Sequence, residues 1–158
     1  MLEKKVVDMI KSRLGFNGRN AIILGSGLGT FANYLKNKLV FPYSEVTDFP
    51  RSTVTGHQGE LISGYHGQQQ VLVAKGRFHC YEGYDFSTVV LPIRIFNALG
   101  VRNLIITNSS GSITRSNPPG SLMAINGHFD CTFRSGPCDP ELRSDEKYHN
   151  PLMLSIAQ

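Results

Sequence analysis

The chain has 158 residues, 41% apolar and 18% charged, enough for one domain with a hydrophobic core, and no stretch has the composition of a disordered tail. Its net charge of +4 is dispersed rather than gathered into a basic run interleaved with aromatics, which argues against nucleic-acid binding and suits a small anionic ligand. Three cysteines, with six residues between Cys131 and Cys138, fit neither a zinc knuckle nor a disulfide framework, and no apolar run approaches about 18 residues, so the expectation is a reduced, cytoplasmic, metal-free protein that is neither secreted nor membrane-spanning.

Leu2, Val6, Ile10 and Leu14 recur every four residues with lysines between them and predict an amphipathic helix that stops at Gly15. Ala21 to Leu24 is a short apolar run of the buried-strand kind, followed by Gly25-Ser26-Gly27-Leu28-Gly29 and a helical pattern from Phe31 to Leu39. A strand, a glycine turn and a helix start offer an anion free backbone N–H groups and the positive end of a helix dipole, with the Ser26 hydroxyl as a further donor. The dinucleotide fingerprint is not met, because Thr30 stands at its third glycine, and no Gly-Lys-Ser/Thr follows to make a P-loop. A turn built for tight packing alone would carry the same residues.

Pro42 to Arg51 reads as a connection. His57, set between Gly56 and Gly59, is either a turn residue or a ligand-facing group. Glu60 to Tyr65 and Gln69 to Ala74, joined through His66-Gly67, fit a hairpin. Lys75 to Tyr84 then places a guanidinium, an imidazole, two phenols and a carboxylate in a loop at a strand end, where sites are built. Arg77 and His79, two apart, project to one side of an extended backbone and can converge on one anion, with Tyr81 following. The competing reading is a solvated loop whose Phe78 plugs the core.

Ser87 to Leu99 predicts a helix, with Pro92 marking a kink or a start near Leu91. Leu104 to Thr107 is another buried-strand candidate and runs into Asn108-Ser109-Ser110-Gly111-Ser112, a second small-polar turn at a strand end. Two such turns after separate strands repeat the logic of a ligand crevice beyond the carboxyl ends of an α/β sheet. Leu122 to Ile125 predicts a strand leading to His128, Asp130 to Lys147 a surface excursion, and Asn150-Pro151 a capped helix start. The apolar pattern after Pro151 reaches Gln158 without a stop signal, so the sequence is expected to end inside an element.

Taken together, Ile23-Leu24-Gly25-Ser26-Gly27-Leu28-Gly29, Thr55-Gly56-His57-Gln58-Gly59, Gly76-Arg77-Phe78-His79 with Tyr81-Glu82-Gly83-Tyr84, Leu91-Pro92-Ile93-Arg94, and Leu99-Gly100-Val101 with Thr107-Asn108 resemble, in order, the N-terminal part of trimeric-type purine nucleoside phosphorylases. The resemblance runs from residue 20 to about 128. It implies a single α/β domain over 1–158, a central mixed sheet flanked by helices and incomplete at the C-terminus, and a homotrimer. The implied reaction is phosphorolysis of purine ribonucleosides to free base and ribose 1-phosphate, with inorganic phosphate as co-substrate and no cofactor. By the same resemblance Ser26, His57, Arg77, His79 and the backbone of Ser109 hold phosphate, and Tyr81 lies against the ribose. Asn108 positions its turn, and His57, His79 and Glu82 form the catalytic set. The chain departs from the family's Ala-Ala-Gly-Gly with Ser109-Ser110-Gly111-Ser112, and the family's base-reading residues belong to a part not represented. Methylthioadenosine phosphorylase and a non-catalytic remnant that keeps a phosphate half-site are the alternatives; a nicotinamide enzyme fits less well because of Thr30.

Overall fold

The computed structural model describes residues 2–46, 49–51, 59–131, 141–143 and 150–156. Two compact units make up the chain, residues 1–110 and 111–158. Among the described residues no helix is long and apolar enough to cross a membrane.

The first unit opens with α1 (Leu2–Leu14), whose Val6, Ile10 and Leu14 are buried as the four-residue spacing requires. Its stop at Gly15 is met with φ of 52°, a conformation that costs glycine little. Five strands follow: β1 (Asn20–Leu24), β2 (Lys36–Pro42), β3 (Glu60–His66), β4 (Gln69–Lys75) and β5 (Asn103–Ile106), arranged in the order β2-β3-β4-β1-β5. β1 lies parallel to both β4 and β5, while β3 pairs antiparallel with β2 and β4. The sheet is therefore mixed, as expected, and the β3–β4 hairpin closes at His66↔Gln69 through Gly67, whose φ is 59°.

Both faces of the central strands are covered. Ala21, Ile23, Leu72 and Ala74 pack with α1 and with α3 (Leu91–Ala98), whereas Leu24, Val71 and Val73 pack with Ala32 and Leu35 on the other side. This two-sided burial explains why β1 and β4 read as continuous apolar runs rather than alternating ones.

Three expectations need correction. The helix predicted from Phe31 to Leu39 is a 3-10 helix at Gly29–Tyr34, after which Leu35 turns extended and β2 begins at Lys36. Asn37, at φ of 50°, takes the left-handed conformation that asparagine tolerates, and past the irregularity it makes, Leu39 to Pro42 gain partners on β3 that a longer helix would forfeit. The helix expected from Ser87 to Leu99 is divided in two, α2 (Phe86–Val89) and α3, and α3 takes the start near Leu91 that Pro92 marked, with the proline in its first turn. Finally, Leu122 to Ile125 is not a strand, and Leu122 and Met123 are 90% and 64% exposed. The second unit instead pairs β6 (His128–Asp130) with β7 (Glu141–Arg143) and ends its described part in α4 (Pro151–Ile156), where Asn150 Oδ1 accepts from Met153 N at 3.1 Å as a cap should.

Asp85 caps α2, its Oδ1 accepting from Thr88 N at 2.8 Å and from Ser87 Oγ at 2.9 Å. The hydrogen bonds from Thr88, then Ser87, hold its carboxyl below the ordinary 3.8. A folded-state value below the unfolded one stabilises above the unfolded pKa and is lost as pH falls through the folded pKa. Asp85→Ala is thus expected to lower the melting temperature at neutral pH. The variant and wild-type curves should converge in acid, a comparison made by thermal melts between about pH 7 and pH 2.

Candidate functional site

Because β4, β1 and β5 are adjacent and parallel, the segments that leave their carboxyl ends emerge at one edge of the sheet. The register aligns Leu24 with Lys75 and Ile23 with Ile106, so the Gly25–Gly29 turn, the 76–85 loop and the 107–110 segment start level with one another. In an open α/β sheet this is the edge at which ligands bind.

Thr107 ties the first and third of these segments together. Its N and Oγ1 donate to Ile23 O at 3.0 and 3.2 Å, and its Oγ1 accepts from Gly25 N at 2.8 Å. Contact is close enough that a Cβ on Gly25 would stand 2.5 Å from Thr107 O and 2.7 Å from Asn108 Cα. Ser26 is exposed at the head of a turn closed by Leu28 N donating to Gly25 O at 3.2 Å, with Gly27 at φ of 85°.

The middle loop joins the same assembly through Arg77. Its Nη1 donates to Thr107 O at 2.9 Å and its Nε donates to His79 Nε2 at 3.0 Å. His79 Nδ1 in turn lies 2.7 Å from Glu82 Oε1, the atom that also accepts from His79 N at 2.9 Å. With Nε2 accepting from Arg77, the tautomer that fits this arrangement has its N–H at Nδ1, directed at the Glu82 carboxylate. Glu82 does its ordering from inside: its side chain is 2% exposed, against 16% for His79. The short 3-10 turn Cys80–Glu82, closed by Gly83 at φ of 88°, makes the bond from residue 79 to residue 82 possible. Tyr81 stacks on the His79 ring at a centroid distance of 4.6 Å and stays 76% exposed, so its face is available to a ligand.

The expected members Ser26, Arg77, His79, Tyr81, Glu82, Asn108 and Ser109 all lie on these three segments, with Asn108 Nδ2 donating to Ser109 O at 3.4 Å. His57 lies outside the described residues. Phe78 satisfies the packing reading at the same time: it is 2% exposed and meets Tyr84, Phe49 and Tyr43. The loop is both a core plug and a presenter of polar groups, alternating between the two along the chain.

The turn at 25–29 leads into six residues of 3-10 helix rather than an α-helix, so attraction for an anion there rests on turn N–H groups and nearby cations, not on a helix dipole. Two contributors were missed, Thr107 as the clamp and Tyr43 as a support. Tyr43 is buried and its hydroxyl donates to Gly76 O at 3.5 Å; burial first, then the Glu60 charge, pushes its phenol up, so it remains a donor. A threonine closing an apolar strand opposite a glycine was the available signal for the first; nothing in the sequence pointed to the second. A hollow of about 560 Å³ lined by Ser44, Phe49, Arg51, Tyr84 and their neighbours contains none of Ser26, Arg77, His79 or Ser109.

Purine nucleoside phosphorylase 1 of Geobacillus stearothermophilus is 41% identical over 127 residues, covering 80% of this chain and 46% of that protein. A crystal structure of a purine nucleoside phosphorylase in complex with ribose-1-phosphate superimposes with a TM-score of 0.66 at 43% identity, covering 73% of this chain and 43% of the other. The Schistosoma mansoni purine nucleoside phosphorylase in complex with inosine gives 0.65 at 40% identity, covering 73% and 40%. The chain thus spans less than half the length of each of these proteins. The phosphorylase superfamily model matches residues 19–153, a span that contains every strand and loop from which the edge site is built, and the chain belongs to that superfamily.

Proposed function

We propose that the edge site binds inorganic phosphate and that the protein acts in purine nucleoside phosphorolysis, a pentosyl transfer from base to phosphate. The observation that carries the reading is the junction of Arg77 with both His79 and Thr107, which gathers a guanidinium, an imidazole and two small-polar turns at the tips of three parallel strands. Its support from outside is the likeness to phosphorylases seen with inosine and with ribose-1-phosphate.

In this reaction a phosphate oxygen bonds to C1′ of the ribose as the C1′–N9 bond breaks. The electron pair of that bond passes to the purine, which takes a proton and leaves as free base. The sugar at the transition state has oxocarbenium character, so an anion fixed beneath it lowers the barrier electrostatically, and no protein nucleophile, metal or organic cofactor is needed. Arg77 uses two of its N–H groups internally and has others to present to phosphate oxygens. Turning its Nε toward phosphate releases His79 Nε2, which can then receive the phosphate proton, and Glu82 at Nδ1 stabilises the imidazolium so formed. Backbone N–H groups at Ser26 and Ser109 complete the cradle, Asn108 braces its turn, Tyr81 lies along the ribose, and His57 borders phosphate and sugar.

A homotrimer is the assembly that the family resemblance implies. A reducing, cytoplasmic setting suits Cys80 and Cys131, both exposed and neither in a disulfide. Incubation with inosine is the test: hypoxanthine and ribose 1-phosphate should appear in equal amounts and only when phosphate is supplied. Release of base at the same rate without phosphate, or none with it, would overturn the assignment.

A further inference from the structure

Lys75 closes β4 immediately before the Gly76-Arg77 bend and stands in register with Leu24 of β1 on one side and Glu60 of β3 on the other. Its Nζ is 3.1 Å from Glu60 Oε1, and the two side chains are only 25% and 20% exposed. Alternation along β4 puts Lys75 on the same face as Val71 and Val73, the face covered by the 3-10 segment that follows the glycine turn. There the lysine stem reaches Gly29: its Cε would be 3.4 Å from a Cβ built on that glycine. A cation and its counter-ion are thereby held behind the Gly25–Gly29 turn, one strand residue from the loop that carries Arg77, at a depth where solvent screens charge less than it does at the surface.

We propose that Lys75 is a positioning residue of the phosphate cradle: its ammonium supplies positive potential behind the glycine turn and its stem supports Gly29, while Glu60 fixes that charge in place and offsets part of it. The inference rests on the phosphate reading of the site. It fixes the signs of two opposed substitutions. Lys75→Met strands the Glu60 carboxylate beside the cradle and makes the locality more negative by one charge. Glu60→Gln removes a carboxylate charge and makes it more positive by one. A pair that merely held β3 to β4 would weaken phosphate binding whichever partner was removed.

Calorimetric titration of the chain with inorganic phosphate at two ionic strengths reads the difference. Lys75→Met is expected to bind phosphate about fivefold to tenfold more weakly, Glu60→Gln about twofold to fivefold more tightly, with both changes shrinking at high salt. Lys75→Arg, which keeps the charge, should stay within about twofold of wild type. Unchanged affinity in Lys75→Met, or weakening in Glu60→Gln, overturns the inference while leaving the phosphate site standing. A wild-type chain that binds no phosphate overturns both. Should circular dichroism show Lys75→Met unfolded, the other two variants decide: tightening in Glu60→Gln with retention in Lys75→Arg supports the role, and weakening in both rejects it.

Discussion

Arg77→Ala is expected to weaken inorganic phosphate binding by a hundredfold or more. A charge-assisted hydrogen bond contributes about 1.5 to 3 kcal/mol, and a guanidinium fork that grips phosphate makes two; at about 1.4 kcal/mol per factor of ten, the combined loss starts near two orders of magnitude. Arg77 also gathers the site, bonding His79 at 3.0 Å and Thr107 O at 2.9 Å, so its removal frees the imidazole from its partner at Nε2. Stability should change far less, because Arg77 is part-exposed and water can replace it on the Thr107 carbonyl. Arg77→Lys separates charge from geometry: the point charge is kept and the fork is not, so an intermediate loss of about tenfold is expected. Phosphate titrations and the phosphate dependence of base release measure both variants. Phosphate affinity surviving intact in Arg77→Ala would remove the anion site from this edge of the sheet.

Much of this arrangement was legible in the residues because it depends on local rules. A run such as Val71-Leu72-Val73-Ala74 can only be a strand buried on both faces or part of a buried helix, and the Gly67 turn before it settles the choice. Pro92 marks where α3 begins, and the spacing of Arg77, His79 and Tyr81 matches the bond and the ring stack that link them. What failed were segments whose structure is decided by distant partners. Phe31 to Leu39 has helical spacing, yet Leu39 to Pro42 pair with residues 60 to 63 of β3, and the 3-10 segment puts Ala32 and Leu35 against Ile62 and Val73. Local propensity of a few tenths of a kcal/mol per residue does not outweigh that pairing. Leu122 to Ile125 failed in the opposite direction, an apolar run that pairs with no strand among the described residues. Thr107 was hidden for the same reason: three of its hydrogen bonds reach back to Ile23 and Gly25, more than eighty positions away.

That long-range clamp leaves Gly25 no room for a side chain. In Gly25→Ala the new methyl carbon would sit 2.5 Å from Thr107 O and 2.7 Å from Asn108 Cα, both backbone atoms. Neither can step aside, since Thr107 N is bonded to Ile23 O at 3.0 Å and its hydroxyl to Gly25 N at 2.8 Å; relief requires β1 and β5 to part at their carboxyl ends. Overpacking of this kind costs about 1 to 3 kcal/mol, and a melting temperature some 4 to 8 °C lower per kcal/mol is expected for a unit of this size. Gly27→Ala is the control. Nothing lies within 4 Å of its would-be Cβ, so only the strain of φ at 85° is felt, about 1 kcal/mol, and the distance between the two anion loops is unaltered. The two alanines should therefore differ in kind as well as size. Gly25→Ala loses phosphate affinity together with thermal stability, because spreading the clamp moves Ser26 away from Asn108 and Ser109, whereas Gly27→Ala loses a little stability alone. Melting and phosphate titration on both variants make the comparison, and a Gly25→Ala protein as stable and as phosphate-avid as Gly27→Ala would mean that the two turns do not share one ligand.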